Sequence, residues 1–316
     1  MPDDGDGPVA YVGAMDTVIS VERLSKSYGD VTAVEDVSFT VDRGEIFGLI
    51  GPNGAGKTST VEILQGLRPR SGGGVSVLGL DPARNGDELR RRIGSQLQSS
   101  ALPARMRVGE AVRLFAHAAA GVVDVDEVLV QWNLDPLRRR PFAALSGGQR
   151  QRLFLALALL GDPEVVFLDE LTTGLDPHAR RSTWDLVRQV RDRGATVCLV
   201  THFMEEAEAL CDRVAVVDRG RVVAMDTPAA LTAIRGGAIR MTFSARNGDL
   251  GFLSAVPGVE RVIRDAGTVT VLGTAASTVP VAAALASRGV TPVDFRTHYP
   301  TLEDVFLSVT GRSMRD

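Results

Sequence analysis

Gly51-Pro52-Asn53-Gly54-Ala55-Gly56-Lys57-Thr58 fits the spacing G-x-x-x-x-G-K-[ST] and decides the fold class of this chain. Small residues at these positions let successive backbone N–H groups turn inward on an anion, while the helix that follows offers the positive end of its dipole. The flanks supply the setting such a loop needs. Glu45-Ile46-Phe47-Gly48-Leu49-Ile50 is an apolar strand feeding it, and Ser59 to Gly66 has helical spacing, with Val61, Ile63 and Leu64 placed to pack inward. A glycine-rich turn between strand and helix is the plainer alternative, and the cation argues against it. Lys26 and Lys57 are the only lysines of a chain that otherwise draws its cations from arginine. Lys57 is expected to place a compact charge on the β- and γ-phosphates of a nucleotide, and Thr58 to offer its hydroxyl to Mg²⁺.

Further on, Val165-Val166-Phe167-Leu168 reads as a fully buried parallel strand that delivers Asp169 and Glu170 at its C-terminal end, where open α/β sheets hold ligands. Side chains alternate along a strand, so the adjacent carboxylates are expected to diverge, Asp169 toward the metal and Glu170 toward an attacking water. Shortly before it, Leu145-Ser146-Gly147-Gly148-Gln149 opens the helical run from Gln149 to Leu160, so exposed N–H groups and a positive dipole end face an anion. An N-cap of a buried helix is the structural alternative there. His202 follows the β-rich run Ala195 to Val200 and so lies at another strand's carboxyl end; His117, His178 and His298 carry no such placement.

In this order the motifs resemble the nucleotide-binding subunit of an ATP-binding cassette (ABC) transporter, over most of residues 16–235. The resemblance implies an α/β fold, a P-loop NTPase cassette of mixed sheet core, antiparallel β subdomain and helical subdomain. It implies ATP and Mg²⁺ as cofactors, with Gly51, Asn53, Gly54, Ala55, Gly56, Lys57, Thr58 and Ser59 cradling the nucleotide and Tyr28 of Ser27-Tyr28-Gly29 stacking on adenine. Gln98, in Ile93-Gly94-Ser95-Gln96-Leu97-Gln98, matches the glutamine that touches Mg²⁺ and the attacking water; Gln96 is the other register. Ser146, Gly147, Gly148 and Gln149 match the loop that contacts the γ-phosphate held by a second copy, and Asp176 of Thr173-Gly174-Leu175-Asp176-Pro177 the loop that crosses that interface. His202 matches the γ-phosphate sensor. Thus Glu170, His202, Gln98 and Lys57 form the implied catalytic set, and Thr58, Gln98 and Asp169 the implied metal set. The residue after Glu170 is Leu171, where the family most often has proline, so the constraint of a fixed φ is missing.

The implied partners are a second copy of this chain and a separate transmembrane permease, which alone contacts the transported compound. The chain would sit on the cytoplasmic face of the membrane through that permease. A net charge of −4 gives no footprint for nucleic acid, and Arg90-Arg91-Arg92 and Arg138-Arg139-Arg140 read as solvated faces. Cys198 and Cys211 form neither a disulfide framework nor a metal cluster. The longest apolar run, Leu153 to Leu160, is far short of the roughly 20 residues a bilayer requires. Residues 1–15 begin acidic and Gly/Pro-rich, unlike a secretory leader, and are expected to be a disordered tail. A soluble ABC-type ATPase without a membrane partner is the alternative; a P-loop kinase leaves Leu145 to Gln149 unexplained.

Thr17 to Val41 alternates apolar and polar residues as an antiparallel sheet does, and Val108 to Gln131 has helical spacing that fits an inserted subdomain touching a membrane partner. Val214 to Asp218 and Arg221 to Met225 read as strands joined at Arg219-Gly220, before a helix from Pro228 ending near Gly236-Gly237. Residues 236–316 then form a small C-terminal α/β extension: strands at Ile239 to Phe243, Thr268 to Leu272 and Pro292 to Arg296, a helix at Val279 to Ser287, and a last helix capped by Thr301 with Asp304 at its third position. The segment Tyr299 to Leu307 resembles the C-terminal extension of the drug-resistance branch of ABC subunits, those paired with polyketide-antibiotic exporters such as daunorubicin's. That resemblance implies export of a hydrophobic drug or antibiotic-like compound.

Overall fold

The computed structural model describes residues 16–96, 101–119, 121–245, 250–265 and 267–312; the expected tail at 1–15 and Gln98 lie outside them. The alternation at the start of the chain becomes β1 (Thr17–Tyr28) and β2 (Val31–Asp42), an antiparallel pair with Ile19, Leu24, Val37 and Val41 fully buried. β3 (Ile46–Ile50) is buried at every position and leads into the loop and α1 (Lys57–Leu64), which packs Val61, Ile63 and Leu64 inward. Each such large apolar side chain contributes roughly 1.5–3 kcal/mol of burial, so this strand and helix hold the loop on a rigid base.

β4 (Gly72–Val77) pairs with β1, and α2 (Gly86–Arg90) precedes β5 (Ile93–Gln96). The inserted helical region is α3 (Val108–Ala118) and α4 (Val125–Gln131); its inner face holds Ala111, Val112 and Leu129, while Leu114 and Phe115 point outward. Next come α5 (Gly147–Ala158), β6 (Val165–Asp169), α6 (Pro177–Asp192), β7 (Thr196–Thr201), α7 (Met204–Leu210), β8 (Arg213–Asp218) and β9 (Arg221–Asp226). The nine strands form one sheet in the order β4-β1-β2-β9-β8-β3-β7-β6-β5. Its β1, β2 and β4 end is antiparallel, whereas β8, β3, β7, β6 and β5 run parallel, with β3, β6 and β7 buried throughout. The C-terminal ends of β3, β6 and β7 therefore lie side by side, and they carry Gly51, Asp169 and His202.

Two compact units divide between Val222 and Val223. The second contains α8 (Pro228–Arg235), β10 (Ile239–Ser244), β11 (Val259–Asp265), β12 (Thr268–Gly273), α9 (Thr278–Ser287), β13 (Val293–His298) and α10 (Leu302–Thr310). Its antiparallel sheet, ordered β11-β12-β10-β13, covers a core of Met241, Phe243, Val271, Val281 and Leu285. The division precedes Gly236-Gly237 because α8 packs on α10, where the Ser308 hydroxyl donates to the Arg235 carbonyl at 2.8 Å. Thr301 caps α10 with Asp304 closing the reciprocal bond.

Candidate active site

The turn after β3 is pressed against neighbouring backbone. Gly51 has φ +154°, and a Cβ there would stand 2.1 Å from the Val217 carbonyl oxygen; at Gly56, φ +101°, it would stand 2.3 Å from that of Ala33. Neither position accommodates a side chain. Lys57 is 5% exposed, and its Nζ donates to the Gly51 and Pro52 carbonyls at 2.8 and 2.9 Å. Burial lowers the pKa of this ammonium, opposed by the charges of Glu170 and Asp169. The only strong cation of the loop is thus held on the loop's own carbonyls.

At the end of β6, Asp169 is 2% exposed; its Oδ2 accepts from the Thr58 hydroxyl at 3.3 Å, while Oδ1 is buried without a hydrogen bond. Desolvation, then the neighbouring Glu170 charge, pushes its carboxyl up to about 6. Glu170 places Oε1 3.2 Å from His202 Nδ1. The two acids thus take different partners, and Glu170 has left the strand with a left-handed φ of +50°. That conformation is uncommon for a glutamate and marks local strain. Leu171, where proline was the expectation from resemblance, is fully buried and anchors the turn by packing instead.

Ala33, Asn53, Gly54, Gly56, Lys57, Thr58, Ser59 and Glu170 line a cavity of about 290 Å³. Pockets that enclose whole drug-sized ligands run from about 300 to 1,000 Å³, so this one suits a polyphosphate better than an entire nucleotide. Tyr28, 40% exposed, joins it through Ser59, the two hydroxyl oxygens lying 3.2 Å apart. Lys26 Nζ stands 4.9 Å from the centre of the tyrosine ring. Ala33, whose carbonyl crowds Gly56, carried no signal in the sequence.

Ser146 and Asp176 are exposed, and residues 146–149 and 176 are absent from the lining of that cavity. Ser146 caps α5: its Oγ accepts from the Gln149 amide at 3.3 Å, and the Gln149 side-chain carbonyl accepts from the Ser146 amide at 3.0 Å. Asp176 caps α6, accepting from the Ala179 amide at 2.9 Å. A Cβ on Gly147 would lie 3.0 Å from Leu175 Cδ2, so the two helix starts are close neighbours.

Residues 34–173 match the ABC transporter family. Across 308 residues, the chain is 38% identical to "Nod factor export ATP-binding protein I" of Sinorhizobium fredii, covering 95% of this chain and 88% of that protein. The chain belongs to the ABC transporter family. It is one of that family's ATP-binding cassettes, which are ATPases. "Daunorubicin resistance ATP-binding protein DrrA3" of Streptomyces coeruleorubidus is 37% identical over 309 residues, covering 95% and 98% of the two chains. A solved "ATP binding subunit of ABC transporter" superposes with TM-score 0.61 and 31% identity over 68% of this chain and 92% of that one. A dimeric ATP-binding cassette bound to ADP and Pi, at TM-score 0.60 and 24% identity, covering 66% of this chain and 98% of that one, supports the same fold.

Within this cassette, Gln96 bonds to α5. It is 5% exposed, and its amide donates to the Gln151 side-chain carbonyl of α5 at 2.9 Å. Gln96 thus bridges β5 and the helix capped by Ser146. A second residue escaped the sequence: Glu206 is fully buried and accepts from Trp184 Nε1 at 3.1 Å, though it reads as one more acid at the start of an acidic helix.

Proposed function

We propose that this chain is the ATP-hydrolysing subunit of an exporter in which two copies close around two ATP molecules. Each nucleotide is held between the Gly51–Thr58 loop of one copy and the Ser146 loop of the other. One observation carries this reading: the cavity gathers the loop and Glu170, while Ser146 and Asp176 stand exposed outside its lining. A helix start that is exposed and rich in N–H groups suits an anion presented by another chain.

Thr58 and Asp169 fit Mg²⁺, since a hydroxyl and a carboxylate oxygen meet while the second carboxylate oxygen is buried without a hydrogen bond. A hard cation held there would supply charge neutralisation for the β- and γ-phosphates. Lys57 adds its charge to the same groups, and the turn's N–H groups orient them. Glu170 accepts a proton from the attacking water, and His202 holds that carboxylate in place through Nδ1. Gln98 keeps the role implied for it, reporting occupancy to the membrane partner. Closure favoured by the γ-phosphate and lost after hydrolysis supplies the mechanical step.

The names of the two relatives, Nod factor export and daunorubicin resistance, support an exporter, and the second favours the hydrophobic, antibiotic-like cargo implied by the C-terminal segment. The cargo passes through a separate permease, which holds this subunit on the cytoplasmic face of the membrane. A groove between β5, α3 and α5 supports such docking: it holds about 320 Å³ and presents Leu102, Phe115, Ala118, Phe154 and Leu157 beside Gln96. The second compact unit, which begins at Val223, serves as an accessory domain. Replacing Glu170 by Gln should leave ATP binding intact and trap the closed pair, seen as a dimer by light scattering with ATP. Rapid turnover by that variant would overturn the base assignment, and a monomer with ATP bound would overturn the two-copy site.

A further inference from the structure

α6 and α7 meet along one stripe of each helix. Arg180, Trp184 and Arg188 lie four residues apart on α6 and so share a face. They meet Phe203, Glu206 and Ala209, spaced by three over the start and length of α7. The Arg180 guanidinium sits 4.4 Å from the Phe203 ring centre, Trp184 Nε1 donates to Glu206 Oε1 at 3.1 Å, and Arg188 donates to the Ala209 carbonyl at 3.0 Å. His202 precedes this seam directly, its ring 4.1 Å from that of Phe203. Asp176 caps the other helix of the seam.

Glu206 is the costly member. Glu205 and Glu208 are exposed, whereas Glu206 is wholly buried, a position a carboxylate tolerates only with partners. Burial raises its pKa, opposed by the Thr201, Thr172 and Trp184 donors that face it. The Trp184 contact is closed at 3.1 Å, while Glu206 Oε2 and Thr172 Oγ1 are both buried without a hydrogen bond. Thr172 lies in the turn between Glu170 and Asp176, so its hydroxyl and Glu206 are placed to bond when that turn tightens.

We infer that the Glu206–Trp184 pair is a positioning device that sets His202 against Glu170 and ties both to the helix start carrying Asp176. It rests on the two-copy reading above, because tightening at Asp176 matters only where a second chain presses on it. Neither residue touches the phosphate cavity, so the pair acts through His202 and the 170–176 turn.

Trp184→Phe removes one donor at little change of shape and is read at a temperature well below unfolding. The pair should set kcat and not nucleotide affinity: kcat is expected to fall about tenfold, with KM for ATP within about twofold. Glu206→Gln combined with Trp184→Phe should recover part of that loss, since a neutral amide no longer needs the indole donor. In the Glu170→Gln background, Trp184→Phe should still form the ATP-dependent dimer. An unchanged kcat in Trp184→Phe overturns the pair's role, and so does a loss that tracks only the fraction of folded protein. Failure of Glu170→Gln alone to dimerise overturns the two-copy reading instead, which keeps the two failures apart.

Discussion

Lys57 and Asp169 are buried among backbone carbonyls and apolar strands, whereas Ser146 and Asp176 stand exposed at the first turns of α5 and α6. The first pair is organised by the fold itself: the loop after β3 and the end of β6 bury both groups. The second pair is organised only locally, by capping bonds that any helix start can make. Groups of the first kind are ready for phosphate within one chain. In the two-copy reading, those of the second kind meet a surface of the other chain. If this division is right, substitutions in the buried half should damage nucleotide binding by a single copy, and substitutions in the exposed half should damage only what two copies do together.

The largest effect is expected at Lys57. Lys57→Ala removes a charge-assisted contact to phosphate and should weaken ATP binding roughly a hundredfold, near 2.7 kcal/mol, by titration calorimetry. Folding should suffer little, because the variant also relieves a buried ammonium of its desolvation. Undiminished affinity would break the buried half of the contrast. Ser146→Ala tests the other half: it should lower stability by about 1 kcal/mol through the lost cap and leave single-chain ATP affinity within about twofold. Steady-state turnover should fall by about tenfold or more, since one contact to a transferring phosphate is missing. A matching loss of single-chain affinity would place Ser146 in the buried cleft after all.

The sequence made the buried half far more legible than its surroundings. The loop, β3, β6 and β7 are short apolar runs bounded by glycine or charge, and fully buried strands leave that signature unmistakable when the phosphate loop fixes their order. Ser146 and Thr301 were readable as caps because a capping bond is local in sequence. What escaped depends on distant partners. β11 is an edge strand whose alternation is broken by a bulge between Val259 and Arg261 and by mixed charges, so its pattern is weak. Leu114 and Phe115 follow helical spacing yet face outward, and no periodicity says which apolar face a neighbour will cover. Glu206 looks like Glu205 until α6 brings Trp184 to it.

An acid stabilised by pairing instead of penalised by burial sharpens the contrast from outside the site. Asp81 accepts both guanidinium arms of Arg70, at 2.7 and 2.9 Å, and the bonded arginine holds its carboxyl at about 2, below the ordinary 3.8. Because the folded state keeps this group ionised to lower pH than the unfolded chain does, the stabilisation is complete above the unfolded value. It is lost as pH falls through the interval toward 2. Asp81 is 24% exposed, which trims the contribution to about 1–2 kcal/mol. Asp81→Asn should lower urea stability by that amount at neutral pH and match the parent near pH 2. A constant difference across that range would mean that packing, not charge, holds Arg70.

The smallest change expected in the fold is the most discriminating. Asp176 and asparagine are nearly equivalent as helix caps, so Asp176→Asn should keep the bond to the Ala179 amide and shift stability by less than about 0.5 kcal/mol. The substitution nevertheless removes a charge from an exposed position that, in the two-copy reading, meets the other subunit. A role confined to capping α6 leaves ATP affinity, dimerisation and turnover all untouched. A role across the interface leaves affinity untouched and weakens the ATP-dependent dimer, measured in the Glu170→Gln background so that hydrolysis does not disperse it. Since the fold hardly registers the replacement, any loss of dimer can be assigned to the missing charge and not to a damaged helix.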